Sequence, residues 1–304
     1  KLLNAGGLTI KTTLHLKHQR AADEATSRTV FPKEEAIGAL AMVQPGTGDV
    51  YAISQSRPMG RDKRKGETFL NYVVNQKYGD SNGFQAGSTF KVFVLATALE
   101  NGISPATRFN SPYSMSIPQN SFEVCGGRPY NSYGPWNVSN STGSGTFNLY
   151  TGTQESVNTF FAQLERETGL CEPFELAKKM GVNLPYPSGD ENHAPQMVPT
   201  FVLGVADVSP LEMAGAYATF AARGEHCSPR PVTSILNSEG KLFKRYPKQC
   251  EQVMSENTAD TVNDILRGVM EGGFGSGLQI SGRVSAGKTG TTQSNRAVWF
   301  SGYT

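Results

Sequence analysis

Several features that would assign this chain to a broad class are scarce in its sequence. Its 304 residues contain no run of about 18 or more apolar residues, the length that a membrane-spanning helix needs. Lysine and arginine number 28 and aspartate and glutamate 26, so the net charge of +2 gives no reason to expect a nucleic-acid partner. The 38% of hydrophobic residues is enough for one large domain or two lobes.

Histidine and cysteine are also scarce. Of the four histidines, His15 and His18 are close together but have no third ligand nearby, so a solvated helix surface is expected there and no metal site. The four cysteines permit two disulfides in three possible connectivities, and the sequence does not choose among them: Cys125, Cys171, Cys227 and Cys250.

One cysteine pairing is nevertheless favoured by local pattern. The apolar run 231–236 followed by Asn-Ser-Glu-Gly predicts a hairpin that would bring Cys227 and Cys250 together. That choice leaves Cys125 with Cys171. Disulfides imply an oxidising compartment, whereas four reduced thiols in a cytosolic protein are the alternative on composition alone.

The most informative stretch is 85–95, where Ser88 and Lys91 stand at the front of a predicted buried helix. Apolar residues recur near helical spacing as far as Leu99, and Asn101-Gly102 is a stop signal. A spacing of about one turn puts Ser88 and Lys91 on one face. A lysine kept partly neutral by apolar surroundings can activate a serine hydroxyl.

The commoner interpretation of such a pair is structural. Ser88 would then cap the helix, and Lys91 would extend its amine to solvent. The Ser-x-x-Lys pattern by itself does not distinguish the two interpretations.

Two later segments favour catalysis. Ser156-Val157-Asn158 opens a second predicted helix that ends at Gly169. Lys288-Thr289-Gly290-Thr291-Thr292 precedes a short apolar stretch, 297–300, that suits a strand. Ser-x-x-Lys, Ser-x-Asn and Lys-Thr-Gly in this order resemble the motif set of penicillin-binding proteins and class A β-lactamases.

The resemblance extends over essentially the whole chain. Segment 6–14 looks like the strand that leads into the transpeptidase domain of class A, bifunctional, high-molecular-mass penicillin-binding proteins, and segment 203–220 is similar to another signature of that family. The resemblance also implies an actinobacterial source. One departure is Ala86, where the family more often has proline; we expect it to alter only the approach to the helix.

The resemblance implies a fold and a domain division. The expected fold is α+β, an antiparallel sheet flanked by helices together with an all-helical lobe, with the active site between them. Residues 1–30 would form a strand and linker following an N-terminal region that is not in this chain, and residues 31–304 the transpeptidase domain, without the family's last strand and helix. Those last elements are expected on a separate polypeptide or to have been lost.

The resemblance also implies roles for individual residues. Ser88 would be the nucleophile and Lys91 its base, Ser156 a proton relay, Asn158 an orienting group and Lys288 a second cation. Thr289, Gly290, Thr291 and Thr292 would bind substrate, the two threonines at 289 and 291 holding its carboxylate. The N–H groups of Ser88 and Thr291 would stabilise the oxyanion.

The expected substrates are peptidoglycan stem peptides, cross-linked by D,D-transpeptidation, and β-lactam antibiotics would acylate the same serine. No cofactor and no metal are expected, and cell-wall synthesis and division proteins are the expected partners. Family members are anchored by an N-terminal segment at the extracytoplasmic face of the bacterial cell membrane, which implies the same location here.

Two rival functions remain open: a D,D-carboxypeptidase or β-lactamase-like hydrolase, and a catalytically silent β-lactam-binding scaffold. Segment 172–176 superficially resembles the loop that carries the deacylating glutamate of class A β-lactamases. It follows Ser156 too closely for that loop, and its pattern, with Pro173 near the start and Gly181 at the end, predicts a helix instead.

Three further elements are predicted from pattern. Residues 36–53 should form a hairpin, and residues 258–270 a helix with one apolar face. Residues 103–153 are rich in Ser, Asn, Gly, Pro and aromatics, including Tyr130, Tyr133 and Trp136, and predict a long loop along the active-site cleft.

Overall fold

The structure is a computed structural model that describes residues 6–132 and 134–304. Residues 1–5 of the predicted linker, and Tyr133, lie outside the described residues. The α-helices are α1 Leu16–Thr29, α2 Gln76–Gly79, α3 Lys91–Glu100, α4 Leu149–Gln154, α5 Asn158–Thr168, α6 Cys171–Lys179, α7 Pro210–Ala221 and α8 Glu256–Glu271. The strands are β1 Thr9–Thr12, β2 Ala39–Val43, β3 Val50–Gln55, β4 Phe84–Gln85, β5 Phe109–Ser111, β6 Ser114–Pro118, β7 Glu123–Val124, β8 Arg128–Pro129, β9 Pro135–Ser139, β10 Gly145–Phe147, β11 Asp207–Val208, β12 Glu225–Cys227, β13 Val232–Leu236, β14 Leu242–Arg245, β15 Cys250–Gln252, β16 Ala286–Thr291 and β17 Val298–Tyr303.

Contacts divide the chain into two compact units. The first contains Lys1–Gly83 and Ser209–Glu251, and the second contains Phe84–Val208 and Gln252–Thr304. These limits differ from the predicted division at residue 30, which stays a prediction. Strands and helices are mixed in both units, as the expected α+β class requires.

The first unit is built around the predicted hairpin of β2 and β3, whose antiparallel register runs from Ala39 opposite Gln55 to Val43 opposite Val50. Helix α1 packs on β3 and α7 packs on β2. A second sheet has the order β1, β13, β14. His15 and His18 lie beside Tyr51, their rings 5.8 and 5.4 Å from its ring, so the two imidazoles pack against an aromatic side chain.

The second unit is organised on α3, whose residues Lys91–Ala98 are all buried. Helices α5, α6 and α8 pack around it, and α8 also packs on β16. Strand β16 pairs antiparallel with β17, with Lys288 opposite Ser301. Helices pack around α3, and one of them, α8, also contacts the strand pair. The first residues of α3 therefore lie where the helices meet the strands.

The helices end close to the stop signals that the sequence contains. Helix α3 ends at Glu100 and is followed by Gly102 at φ 80°, and α5 ends before Gly169 at φ 69°. Helix α6 starts at Cys171, so the segment with Glu172 is the predicted helix. Helix α8 covers the predicted 258–270 with a short extension at each end.

The prediction of a long loop at 103–153 is wrong in its secondary structure. Three antiparallel ladders are nested there: β5 with β10, β6 with β9, and β7 with β8. The strands are two to five residues long, and their turn-rich composition hides the alternation that predicts a strand. Trp136 packs against Phe122, the ring centroids 6.0 Å apart, and so anchors the ladder.

The four cysteines form two pairs in the structure. The Sγ atoms of Cys125 and Cys171 lie within covalent bonding distance, and so do those of Cys227 and Cys250. This is the connectivity that the hairpin pattern favours, since β13 and β14 form that hairpin between Cys227 and Cys250.

The helices of the described residues fall short of the length and apolarity that crossing a bilayer requires.

We predict that both pairs are disulfides in the oxidised protein. Non-reducing peptide mapping should recover the 125–171 and 227–250 cross-linked peptides. Replacing Cys125 and Cys171 together by serine should lower the free energy of unfolding by about 2–4 kcal/mol, because the unfolded chain loses a closed loop. Recovery of either of the other two connectivities, or of free thiols, would contradict the pairing.

Candidate active site

Ser88 lies in a 3-10 turn, Gly87–Phe90, that leads directly into α3. Gly87 has φ 59°, and its N–H donates to the carbonyl oxygen of Gly204 at 3.1 Å. A Cβ added to Gly204 would lie 2.2 Å from the Gly87 oxygen. Two backbone segments therefore touch beside Ser88, and only glycine permits that approach.

The Ser88 hydroxyl is partly exposed and lines an open groove of about 540 Å³. Ser156, Asn158, Thr289 and Thr291 line the same groove. The Lys91 N–H donates to the Ser88 carbonyl, but among the described residues no hydrogen bond joins the Ser88 hydroxyl to the Lys91 amine. Catalytic hydrogen bonds are often loose before substrate binds.

Lys91 is fully buried, at 0% exposure, so the interpretation in which it reaches solvent is wrong. Its Nζ donates to the Ser156 carbonyl at 2.7 Å, to the Ser156 hydroxyl at 3.2 Å and to Asn158 Oδ1 at 2.7 Å. An ammonium group has three donors, and all three are used within one turn of chain.

Lys288 is the second fully buried amine. It projects from β16, and its Nζ donates to the Ser156 hydroxyl at 2.7 Å and to the Thr289 carbonyl at 3.2 Å. The Ser156 Oγ thus accepts a hydrogen bond from each lysine, which uses both of its lone pairs and leaves its own hydrogen free to donate.

The backbone of Ser156 is held in a left-handed conformation, with φ 55°. Non-glycine residues adopt it at a cost of about 1–3 kcal/mol, and such strain is concentrated at functional sites. The N–H of Ser156 donates to the Thr153 carbonyl at 3.1 Å and that of Val157 to the Gly152 carbonyl at 2.9 Å. The end of α4 therefore holds the bend that turns Ser156 toward the two lysines.

The pKa values of both amines are lowered. Burial, and after it the charge of Lys288, lowers the pKa of Lys91 well below its ordinary value. Burial alone lowers the pKa of Lys288 to about 7. A neutral amine at position 91 can then coexist with a cation at position 288, which is the combination that a base beside an anion-binding group requires.

Asn158 begins α5 and faces both the lysine cluster and the groove. Its Oδ1 accepts from Lys91, and its Nδ2 donates to the Ser139 carbonyl at 2.8 Å. This second bond settles which end of the amide faces Lys91. It also ties the nested ladder of residues 109–147 to the site.

The Lys-Thr-Gly segment forms the end of β16 and part of the groove wall. Thr289 and Thr291 open to the groove, whereas the Thr292 hydroxyl also accepts from the Ala297 N–H at 2.9 Å and so closes the turn after the strand. A Cβ added to Gly290 would lie 2.4 Å from the Ala86 oxygen. Gly290 thus contributes close backbone packing against the Ser88 turn.

Segment Trp136 to Thr142 lines the groove, which confirms that part of the insert 103–153 lies along the cleft. The sequence did not predict the other groove residues, which are Gln85, Thr200, Leu203, Gly204, Val205, Phe274 and Gln293. Phe274 is 61% exposed between glycines, and no periodic pattern distinguishes such a position from an ordinary loop.

Comparison with known families identifies the chain. Residues 38–304 match the family described as the penicillin-binding protein transpeptidase domain. Penicillin-binding protein 1A of Mycolicibacterium smegmatis is 30% identical over 318 residues, which cover 99% of this chain and 36% of the relative. The chain therefore spans about a third of the length of the curated relatives it matches.

Solved structures agree with the family match. PonA1 of Mycobacterium tuberculosis in complex with penicillin V superposes with a TM-score of 0.75 at 26% identity, over 99% of this chain and 75% of that one. The D,D-transpeptidase domain of a peptidoglycan glycosyltransferase from Eggerthella lenta gives 0.72 at 26% identity, over 98% and 75%. With the motif residues gathered at one groove and a family match over most of its length, this chain belongs to the penicillin-binding protein transpeptidase domain family.

Proposed function

We propose that the chain is a serine D,D-transpeptidase that cross-links peptidoglycan stem peptides through an acyl-enzyme on Ser88, and that β-lactams acylate the same residue. The observation that carries this proposal is the buried Lys91–Ser156–Lys288 cluster beside a partly exposed Ser88. The penicillin V complex of the M. tuberculosis relative supports the β-lactam part.

Acylation begins when neutral Lys91 takes the Ser88 proton. For that, Lys91 must give up one of its three present bonds and turn a lone pair toward the hydroxyl. The Ser88 oxygen bonds to the carbonyl carbon between two D-alanines, and the carbon–nitrogen bond breaks. The Ser156 hydrogen passes to the leaving amine, and the proton on Lys91 replaces it.

Charge that develops on the carbonyl oxygen needs fixed donors. The Ser88 N–H, in the first turn before α3, has no intrahelical partner, and the Thr291 N–H would be the second donor. The Thr289 and Thr291 hydroxyls, with the charge of Lys288 behind them, would hold the terminal carboxylate. Asn158 would orient Lys91 and the substrate amide without reacting.

The fate of the acyl-enzyme separates a transpeptidase from a hydrolase. Among the described residues that line the groove, none carries a carboxylate, so water lacks an evident base there. The acyl group would persist until an amine of a neighbouring stem attacks. D,D-carboxypeptidase or β-lactamase activity, and a silent scaffold, are the alternatives.

The location and the partners of the whole protein belong to the proposal too. Peptidoglycan lies outside the cell membrane, and two cysteine pairs suit an oxidising compartment. We propose an extracytoplasmic, membrane-anchored protein that works with cell-wall synthesis and division proteins.

Replacing Ser88 by alanine should abolish covalent labelling by a fluorescent penicillin, because it removes the hydroxyl that is proposed to form the acyl bond. Mass spectrometry of the wild type should find the adduct on the Ser88 peptide. Ser238→Ala, in an exposed turn, is the control and should label like the wild type. An unmodified Ser88 peptide in the wild type would favour the scaffold.

The rate of acylation should depend on pH in a defined direction. Because the pKa of Lys288 is about 7, its charge disappears as the pH rises through that value, and the second-order rate of penicillin acylation should then fall. At acidic pH the rate should also fall, because Lys91 becomes protonated and cannot act as a base. A rate that still climbs at pH 9 would argue against a cationic role for Lys288.

The penicillin adduct should be long-lived, and its lifetime should not depend on Glu172. That carboxylate accepts from Asn101 Nδ2 at 2.5 Å on the outside of α6 and is not part of the groove. We expect Glu172→Gln to lose the adduct at the wild-type rate, as followed by fluorescence after excess penicillin is removed. Rapid turnover of benzylpenicillin, slowed by this substitution, would favour the β-lactamase alternative.

A further inference from the structure

Glu165 is a buried acid that the proposed chemistry does not use. It lies on α5 about two turns after Asn158 and is 0% exposed. Its Oε1 accepts from the Val202 N–H at 3.0 Å. Its Oε2 is buried and has no hydrogen-bond partner among the described residues.

The surroundings of Glu165 favour its neutral form. Burial raises its pKa well above the ordinary value, and the bond from Val202 opposes this only in part. Helix α5 packs against α3, β5, β9 and the 3-10 turn Phe201–Leu203. Of these, only α3 has charged side chains, Lys91 and Glu100, and Lys91 is bonded to the Ser156–Asn158 segment.

The Val202 N–H needs an acceptor from outside its own turn. The first N–H groups of a helical turn have no partner within it and are usually capped by a nearby side chain. Thr200 stands at the capping position, but its side chain makes no capping bond. The carboxyl group of Glu165, on a different helix, supplies the acceptor instead.

The capped turn leads directly to Ser88. Gly204 follows it at φ 65°, and its carbonyl accepts from the Gly87 N–H, one residue before Ser88. Leu203 and Gly204 also line the groove. Val202 is therefore connected to the turn that holds Ser88 through Leu203, Gly204 and one backbone hydrogen bond.

We propose that Glu165 is a positioning residue for acyl transfer: by accepting from Val202, it fixes Gly204 against Gly87 and so holds Ser88 in the geometry that the reaction needs. This inference rests on the proposed function. A packing role alone does not explain an acid here, because an apolar side chain of the same shape would fill the space without an unpaired oxygen.

The test compares Glu165→Gln with Glu165→Met in the full chain. Both are neutral, unbranched and close to glutamate in size, but only glutamine keeps an acceptor for Val202. Fluorescent penicillin is the probe, and stopped-flow fluorescence separates the rate constant of acylation from the dissociation constant of the preceding complex. Thermal unfolding and hydrogen exchange of the 85–90 and 198–206 peptides are measured alongside.

The rate constant for acylation of Glu165→Gln by penicillin should lie within about threefold of the wild-type value. The rate constant for acylation of Glu165→Met should be about tenfold lower than that of wild type, because one buried N–H is left unpaired. The loss should appear in the rate constant and not in the dissociation constant, and the amides of both peptides should exchange faster. Its unfolding temperature should fall only slightly, because the unpaired Glu165 oxygen is removed together with the acceptor for Val202. If Glu165→Met does not fold, Glu165→Ala takes its place with the same readouts.

Equal acylation rates for the glutamine and methionine variants would overturn the positioning role, as would a loss that tracks only thermal stability. Neither result affects the proposed function, which depends on the wild type forming an adduct at Ser88. A wild type that forms no adduct would instead overturn the function on which this inference rests.

Discussion

Two lysine amines buried around one serine hydroxyl are the constraint on which this site depends. Ammonium groups removed from water need acceptors, and here nearly all of them belong to a short piece of chain between α4 and α5. The same burial that makes the charged forms costly lowers the pKa of both amines, that of Lys288 to about 7. The left-handed backbone of Ser156 is part of the cost of this arrangement, because it turns one oxygen toward both amines.

Much of this architecture could be predicted from sequence, for physical reasons. Helices α3, α5, α6 and α8 have apolar residues at regular spacing and glycine or asparagine at their ends, so both their type and their limits could be predicted. The hairpin of β2 and β3 has the composition of paired strands around a glycine-rich turn. The three motifs became informative only as a set, and that step came from resemblance to a family and not from periodicity.

The remainder depends on tertiary structure. The ladders between β5 and β10 have strands too short for alternation to be recognised. The walls of the groove come from segments far apart in sequence, each an ordinary loop by composition. Glu165 gave one local signal, a charged residue on the buried side of an amphipathic helix, but its partner Val202 lies on another element. The absence of a hydrogen bond between the Ser88 hydroxyl and the Lys91 amine likewise depends on side-chain conformations that helical spacing does not define.

The contact between Gly87 and Gly204 has a consequence for which positions can vary. Because two main-chain segments touch beside Ser88, a methyl group at position 204 would collide with backbone and not with a side chain that can rotate away. Variation that leaves this backbone contact intact is therefore expected on side chains of the groove wall, such as Gln85, Thr200 and Gln293, and not at position 204.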